Sequence, residues 1–480
     1  MDKSQYVKIL KANSILLQNN LEFKHFKSFF KKNKISFENV TTFCQLFKNF
    51  NSSYLDKRAF CYILRFFNVV YETKNFLELS FSIIAKIIAS SELNIDSELE
   101  VLTAVVYWVD HDYEKRNKFA KILFSKVRLA LIPEQYLERV SNKSICFSKN
   151  SDCVRLLEEA AKEKTVAHQS KCKEFPSYRS CNQDSFSFVF TGGIKINKKY
   201  KFLKNLKKVK KINSKTFKEE GGLASMTTKR FGHKTVYCKG ELYTIGGYDE
   251  NSSVVLTVEK YSFTANKWKI ITKLPNGHRR YCVNAFMSRI YILGGSDGYS
   301  PLPVCMSYDV KSNKWNDILN MNDVRVDAAS TIFEEKVIIS GGFNQNTAAL
   351  KTVENYDHVT DAWSFMPNMI KGRINHKLVT VKNKMFVYDN VSDDYDKCML
   401  VEVYDSFSRK FAVFKQKPTY LDQNLYLNVS LLSFGSKIYM FGNSTVSCYD
   451  VEKDEFSREH LKTIKNLDSI SCTILPQLEY

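Results

Sequence analysis

A passage of about 48 residues recurs through the C-terminal part of this chain, and a repeat of that length decides the fold. Each clear copy has an apolar segment that ends in a glycine pair and a tryptophan farther on, and both marks recur at steps of 47 or 48 residues. The glycine pairs begin at Gly246, Gly294 and Gly341, and the tryptophans are Trp268, Trp315 and Trp363. Three degenerate copies near residues 192, 389 and 442 bring the number of units to six.

Each unit has the composition of a small antiparallel sheet. Segments such as Arg289–Leu293 are short and rich in β-branched or aromatic residues, which is typical of a buried strand, and the glycines that follow can adopt positive φ. The next strand carries Val-Glu-x-Tyr, as in Val258–Tyr261, and a Trp or Phe opens an outer strand. One such sheet cannot bury both of its faces, whereas sheets arranged radially cover each other. We therefore interpret the repeated Gly, Tyr and Trp residues as structural.

The Gly-Gly, Tyr and Trp pattern resembles the kelch repeat, and six units imply a six-bladed β-propeller over residues 185–480. The first unit begins at what would be its second strand. The apolar segment Ile470–Leu475 follows the sixth unit and belongs to none of the six. We expect this segment to pair with the first unit, so that both ends of the ring share one blade.

The residues before the repeats predict helices. Apolar side chains recur at helical spacing as far as about residue 165, and Ser97-Glu-Leu-Glu100 forms a capping box before a helix over Leu99–Asp112. The segments Phe76–Leu79, Val105–Asp112 and Lys126–Ile132 resemble the BACK domain of kelch-like proteins. The expected fold class is thus multidomain α plus all-β, with a helical BACK-like domain over residues 32–165, a linker over 166–184 and the propeller.

The two resemblances together indicate the kelch-like (BTB-BACK-kelch) family, and within it the insect kelch-like 10 and diablo type. Residues 1–31 resemble only the last two helices of a BTB domain, so most of that domain is missing from the sequence. A truncated gene sequence and a shortened relative both remain open. Because the BTB sheet normally forms the dimer interface, we expect a monomer.

Charge and cysteine content narrow the class of protein. The net charge is +20, but lysine is abundant throughout and no nucleic-acid-binding motif accompanies it, so no nucleic-acid partner is expected. Eleven lysines between Lys195 and Lys218 indicate a solvated insertion, with an anionic docking surface or a nuclear-targeting patch as alternatives. No apolar run reaches the length of a membrane span. Twelve cysteines without Cys-x-x-Cys favour a reducing compartment, the cytoplasm, with or without association to the cytoskeleton.

We find no catalytic constellation and expect neither an enzyme nor a cofactor. Three histidines near the starts of units, His233, His278 and His376, could converge on a metal at the propeller axis, but turn positions explain them better. A propeller oxidase is the remote alternative, and nothing in the sequence marks the cross-linked Cys and Tyr beside copper ligands that it needs.

A binding surface is the stronger expectation. The resemblance implies that the position sixteen residues before the glycine pair opens an inner strand and faces the substrate-binding mouth. A ring of guanidinium groups there suits an acidic protein, whereas the alternative is that each arginine caps its own blade. The weaker candidates on this face are Tyr248, Tyr299, Phe343 and Asn344. The candidate substrate-binding residues are Arg230, Arg279, Arg325, Arg373 and Tyr426, with Arg279 one residue out of step.

The family resemblance implies a substrate-specific adaptor of a cullin-3 E3 ubiquitin ligase, with the target protein held by the propeller. Helices near residues 32–70 could still offer a groove for the N-terminal tail of cullin-3. An actin-binding cytoskeletal scaffold without a ligase role is the alternative from another class.

Overall fold

The computed structural model describes residues 53–95, 97–169, 186–196, 202–275, 277–346, 349–388, 401–414, 430–441, 445–461, 467–468 and 470–476. These residues belong to two compact units. Residues up to 128 and 140–157 form one, and residues 129–139 with 158–476 form the other. The predicted BTB remnant at 1–31 and most of the predicted linker lie outside the described residues.

The N-terminal part of the chain is helical, as the sequence predicts. No helix among the described residues is long and apolar enough to cross a membrane. The helices span Ser53–Arg65, Phe67–Val70, Lys74–Leu77, Phe81–Ala89, Glu98–His111, Tyr113–Phe124, Glu134–Ser141, Ile145–Lys149 and Ser151–Gln169, with a 3-10 turn at Leu129–Leu131.

The helix Glu98–His111 runs through the core of the first unit. The Ser97 side chain accepts a hydrogen bond from the Leu99 amide at 2.9 Å, which satisfies one of the free N–H groups at the helix start. Trp108 is 2% exposed, and its indole N–H donates to the Leu79 carbonyl at 2.9 Å. This helix is therefore fixed by its cap and by a buried tryptophan whose polar atom is satisfied.

The second unit contains the strands of the propeller. Each four-stranded sheet except the first corresponds to one repeat of the sequence. The strands are β1 (Phe186–Thr191), β2 (Ile194–Ile196), β3 (Phe202–Asn205), β4 (Val209–Asn213), β5 (Glu219–Glu220), β6 (Lys234–Cys238), β7 (Glu241–Ile245), β8 (Thr257–Ser262), β9 (Lys267–Lys273), β10 (Cys282–Phe286), β11 (Arg289–Leu293), β12 (Cys305–Asp309), β13 (Lys314–Ile318), β14 (Ala329–Phe333), β15 (Lys336–Ser340), β16 (Val353–Asp357), β17 (Ala362–Met366), β18 (Lys377–Val381), β19 (Lys384–Tyr388), β20 (Val401–Asp405), β21 (Lys410–Val413), β22 (Ser430–Phe434), β23 (Lys437–Phe441), β24 (Thr445–Asp450), β25 (Glu455–His460), β26 (Leu467–Asp468) and β27 (Ser471–Pro476).

Six four-stranded sheets form a closed ring. Blades 2 to 6 are β6–β9, β10–β13, β14–β17, β18–β21 and β22–β25, with the strands side by side in chain order. The first strand of each blade contacts the first strand of the next, and β27 contacts both β22 and β6. This order of contacts is that of a six-bladed propeller with the first strands innermost, which confirms the predicted fold class.

Blade 1 is assembled from both ends of the repeat region. Its order is β27-β1-β4-β5, and β27 pairs antiparallel with β1 from Phe186 opposite Pro476 to Thr191 opposite Ser471. The sequence predicts this pairing for residues 470–475, and the observed strand begins and ends one residue later. Because the inner strand of the first blade comes from the chain's last segment, the ring cannot open without breaking this ladder.

The lysine-rich stretch is partly ordered as strands. The hairpin β2–β3 pairs with β26 in a separate three-stranded sheet beside blade 1. Lys211 in β4 forms an ion pair with Glu220 at 2.9 Å. Strands β2, β3 and β4 therefore lie within this stretch, while Lys195, Lys204, Lys207 and Lys208 are exposed, so its role as a solvated insertion stays a prediction.

Aromatic side chains wedge the blades together. In blade 2, Tyr261 packs on Trp268 with ring centroids 5.2 Å apart, and the Tyr261 hydroxyl donates to the Asn266 side chain at 2.5 Å. The Trp268 indole N–H donates to the Ala224 carbonyl at 2.9 Å. Ala224 lies in the connection between β5 of blade 1 and β6 of blade 2. The same ring pair recurs in the other complete blades as Tyr308–Trp315, Tyr356–Trp363, Tyr404–Phe411 and Tyr449–Phe456.

The glycine pairs are required by a close approach of two backbones. Gly247 has φ of +93°, and a Cβ at that position would lie 2.6 Å from the Phe231 carbonyl oxygen. Gly295 and Gly342 meet the same constraint in blades 3 and 4, at 2.4 and 2.6 Å. The glycines therefore allow the strand preceding them to turn beneath the loop that enters the blade.

Removing residues 470–480 should open the ring. The deletion removes the ladder with β1 and the buried Leu475 side chain, so we expect the midpoint of thermal unfolding to fall by about 10 °C or more. Circular dichroism of the purified chain measures this midpoint. A deletion of residues 477–480 alone is the control, and an equal effect of both deletions would contradict the role of β27.

Candidate functional site on the loops of blades 2 to 4

Three of the predicted site residues are buried inside their blades. Arg230, Arg325 and Arg373 are 0, 1 and 2% exposed. Each forms an ion pair with a glutamate 29 residues later that is also fully buried. The pairs are Arg230–Glu259 at 2.5 Å, Arg325–Glu354 at 2.9 Å and Arg373–Glu402 at 2.8 Å.

In blade 4 this pair organises three segments. Glu354 in β16 accepts hydrogen bonds from the backbone amides of Asn322 at 2.8 Å and Asp323 at 3.0 Å. Arg325 donates to the carbonyls of Gly341 at 2.9 Å and Thr352 at 3.0 Å. The network ties the incoming loop to the glycine bend and to the third strand.

The same contacts recur in blades 2 and 5. Glu259 accepts from the amides of Thr227 and Thr228, and Glu402 accepts from those of Ile370 and Lys371. The expectation that these three arginines meet a partner is therefore corrected. Each guanidinium group is buried against its glutamate, and the pair holds the loop that enters the blade, as the capping alternative expects.

Blade 3 departs from this arrangement. The position sixteen residues before Gly294 is occupied by His278, whose Nδ1 lies 3.2 Å from the Gly294 carbonyl oxygen. Met306, opposite Ile292, stands where the other blades have glutamate. The arginine and the glutamate are thus replaced together, and Arg279 is not the counterpart of the other arginines.

Arg279 instead lies one position farther along the loop. Its backbone bridges to Ser296, as Phe231 bridges to Tyr248 in blade 2. Its guanidinium group lies beside Gly298, where a Cβ would be 2.9 Å from Nη1. Arg279 is partly exposed and stays a candidate for partner binding, whereas Tyr426 lies outside the described residues.

The three histidines do not converge on a metal. His233 Nε2 lies 2.8 Å from the Thr191 hydroxyl, and His376 Nε2 lies 2.8 Å from the Ser340 hydroxyl, so each joins its blade to the preceding one. Burial lowers the pKa of His376 to about 3, which keeps this imidazole neutral. Within the described residues, no three His, Cys, Asp or Glu side chains are grouped to hold a metal ion.

The exposed part of this surface is built by loops of three consecutive blades. Arg280 donates to Asp327 with Nε at 2.8 Å from Oδ1, and its guanidinium group lies 5.2 Å from the centre of the Phe343 ring. Phe231 and Tyr248 pack 5.4 Å apart. We call this surface the blade 2–4 face, and its residues are Phe231, Tyr248, Arg279, Arg280, Tyr299, Asp327 and Phe343.

Backbone geometry holds these side chains in place. Arg280 and Asp327 have φ of +56° and +53°, and Asn375 has +52° at the same point of blade 5. The Asp327 amide donates to the Arg280 carbonyl at 3.3 Å, and the Asn375 amide donates to the Asp327 carbonyl at 2.8 Å. Consecutive blades are thereby joined loop to loop at the entrance of the inner strands.

Tyr299 is the most exposed large side chain of the face. It is 97% exposed and follows Asp297, whose carboxylate accepts hydrogen bonds from the amides of Tyr299 and Ser300, both at 2.8 Å. These backbone hydrogen bonds hold the pKa of Asp297 below its usual range. A turn braced by an aspartate therefore presents an aromatic ring to solvent.

Comparison with known proteins agrees with both parts of the fold. The family model described as BACK: BTB And C-terminal Kelch matches residues 40–142, and the one described as KLHDC2/KLHL20/DRC7 Kelch-repeats domain matches residues 179–389. The chain belongs to the kelch-like BTB-BACK-kelch family.

Curated kelch-like relatives match at low identity over long alignments. Kelch-like protein 26 of Danio rerio is 23% identical over 476 residues, covering 93% of this chain and 75% of that protein. Kelch-like protein 25 of Xenopus tropicalis is 23% identical over 426 residues, covering 85 and 60%. Kelch repeat and BTB domain-containing protein 3 of Mus musculus is 23% identical over 346 residues, covering 59 and 56%. The chain thus spans less than two thirds of the last two, and the insect subtype stays a prediction.

The sequence pattern predicts part of the blade 2–4 face of this kelch propeller. Tyr248, Tyr299 and Phe343 were among the weaker candidates, but Arg280 and Asp327 were missed. A signal existed, because both stand fourteen residues before a glycine pair and therefore share one place in the repeat.

Removing one partner of a buried arginine–glutamate pair should lower the free energy of unfolding more than replacing both partners. Glu354→Met leaves the Arg325 charge buried without the Glu354 carboxylate, and we expect the free energy of unfolding to fall by about 3–5 kcal/mol. The double variant Arg325→His, Glu354→Met copies the residues of blade 3 and should lose less of this free energy. Urea unfolding of both variants measures the difference, and a double variant less stable than the single one would contradict the interpretation.

The buried histidine should impose an acid sensitivity. The pKa of His376 is about 3 when folded, below its ordinary value, so between the two values only the unfolded state binds the proton. Stability is complete above pH 6.5 and falls by about 1.4 kcal/mol per pH unit as the pH decreases below it. We expect His376→Gln to remove this contribution in urea unfolding between pH 6.5 and pH 4.5. An unchanged slope would show that His376 does not carry it.

Proposed function

We propose that this kelch-like protein is a substrate-specific adaptor of a cullin-3 ubiquitin ligase, and that its blade 2–4 face binds the target protein. The proposal rests on membership of the family and on the chemistry of this face. It assigns the chain no catalysis of its own. The helical unit then has the role of placing the bound target relative to the ligase.

The observation that carries the proposal is the exposed Tyr299 beside two arginines. Tyrosine and arginine are enriched among the residues that dominate protein interfaces, since each offers a large rigid surface together with polar contacts. Asp327 neutralises Arg280, whereas Arg279 adds a second positive charge. The face therefore suits a target with an acidic segment and an apolar side chain.

The helical unit limits where a cullin-3 tail could bind. Ile63, Phe67 and Val70 are each 0% exposed, so they form the core of this unit and not an open groove. The rest of the segment expected to form the groove, residues 32–52, lies outside the described residues. A cytoplasmic location is part of the proposal. It is supported by the buried thiols of Cys146 and Cys153, which share a hydrogen bond of 3.6 Å and do not form a disulfide.

Two variants of the face should separate target binding from folding. Tyr299→Ala and Arg280→Glu remove an aromatic contact and reverse a charge at exposed positions, so the fold should be retained. Phe365→Ala is the matched control, because Phe365 is 56% exposed on the outer strand of blade 4. Proximity labelling measures target binding. We expect the targets to be labelled by the wild type and by the control, and their labelling to fall about tenfold or more with both face variants.

The ligase role has its own measurement. We expect purified cullin-3 to copurify with the chain at micromolar concentrations, and the labelled targets to accumulate when cullin-3 is depleted. Absence of cullin-3 binding would reject the adaptor role. Co-sedimentation with filamentous actin that depends on Tyr299 and Arg280 would replace it with the scaffold role.

A further inference from the structure

Six residues stand at one level of the propeller, at the first positions of the inner strands. Each pairs across its blade with the residue that precedes the glycine position, so all six share one height along the axis. The six are Ser471 opposite Thr191, Lys234 opposite Ile245, Cys282 opposite Leu293, Ala329 opposite Ser340, Lys377 opposite Tyr388, and Ser430 opposite Phe441.

Two of these residues are lysines on opposite sides of the ring. Lys234 belongs to blade 2 and Lys377 to blade 5, and the ring of inner-strand contacts places three steps between them in either direction. Lys234 is exposed and Lys377 is half-buried, and the Lys234 charge acts on the Lys377 ammonium group, so the two side chains lie near each other. Burial, and then this charge, lower the pKa of Lys377 to about 8.

The other groups around the two lysines do not balance their charge. Both lysines act on the Cys282 thiol, and burial raises its pKa, which keeps it neutral. The carboxylate that acts on Lys377, Asp327, is bound by Arg280. Among the described residues, neither lysine has a carboxylate within ion-pair distance.

Hydroxyl groups stand at the second to fourth positions of the same strands. Thr331 and Thr380 are joined by a hydrogen bond of 3.0 Å, and the Asn284 amide donates to Ser330. The channel therefore combines two facing cations with neutral hydrogen-bonding groups. Two ammonium groups that share a partly desolvated space repel each other, and an anion between them removes this cost.

We propose that the central channel binds a small inorganic oxyanion of the sulfate or phosphate class between Lys234 and Lys377. The two ammonium groups supply the charge, and the hydroxyl groups of the inner strands supply donors for further oxygens. This site adjoins the blade 2–4 face at Asp327 but does not use Tyr299 or Arg280, so its failure would leave the proposed target binding untouched.

Titration of the full chain with sulfate at pH 7 tests the proposal. We expect calorimetry to show one saturable site, and Lys234→Met and Lys377→Met each to weaken it by about tenfold or more. Lys314→Met is the matched control, since Lys314 is an exposed lysine at the first position of an outer strand. Equal weakening in the control, or full affinity in either channel variant, would overturn the site.

Folding of the variants is measured on the same samples. Because each substitution removes one of two repelling charges, we expect the midpoint of thermal unfolding without sulfate to stay the same or rise. We also expect sulfate to raise this midpoint in the wild type but not in the channel variants. A sulfate effect of equal size in all proteins would show general screening and overturn the proposal.

The pH dependence gives a further readout. Sulfate keeps its charge between pH 7 and pH 9, whereas Lys377 loses its proton as the pH passes about 8. Since the anion favours the protonated lysine, affinity should be highest below pH 8 and fall severalfold by pH 9. Affinity that is unchanged over this range would contradict the role of Lys377.

Discussion

The antiparallel pairing of β1 with β27 is the contact on which the propeller depends. It joins residues almost 300 positions apart and supplies blade 1 with its inner strand. Without it, blades 1 and 6 would each expose a face that the neighbouring blade now covers, including the aromatic cluster of Phe186, Phe188 and Tyr439. The loops that form the blade 2–4 face and the lysines of the channel keep their positions because the ring is closed.

The distribution of charge divides into structural and functional parts. Arginine and glutamate of blades 2, 4 and 5 are buried together, where each glutamate also orders the loop that enters its blade. Blade 3 has His278 and Met306 in those places, and Arg279 and Arg280 stand one and two positions after His278, near solvent. Arginine therefore stabilises the interior of blades 2, 4 and 5, whereas in blade 3 it lies at the surface.

Much of the fold could be predicted because the repeat is periodic. Glycine pairs, tyrosines and tryptophans at one spacing predicted the number of blades, and the unassigned apolar segment near residue 473 predicted the closing strand. The site was harder to predict. Arg230 and its counterparts have the right spacing for a ring, but spacing alone does not show which way a side chain points, and their glutamate partners lie two strands away.

The sequence by itself determined that the chain has a helical part and six sheets of one kind, because local strand propensity, glycine turns and aromatic spacing are written in consecutive residues. Only the tertiary structure decided which charges are buried, which meet solvent and which face each other across the channel. The physical reason is that desolvation and ion pairing depend on neighbours brought together by ring closure. Lys234 and Lys377 are 143 residues apart in the chain and share one level of the ring only after the six blades close.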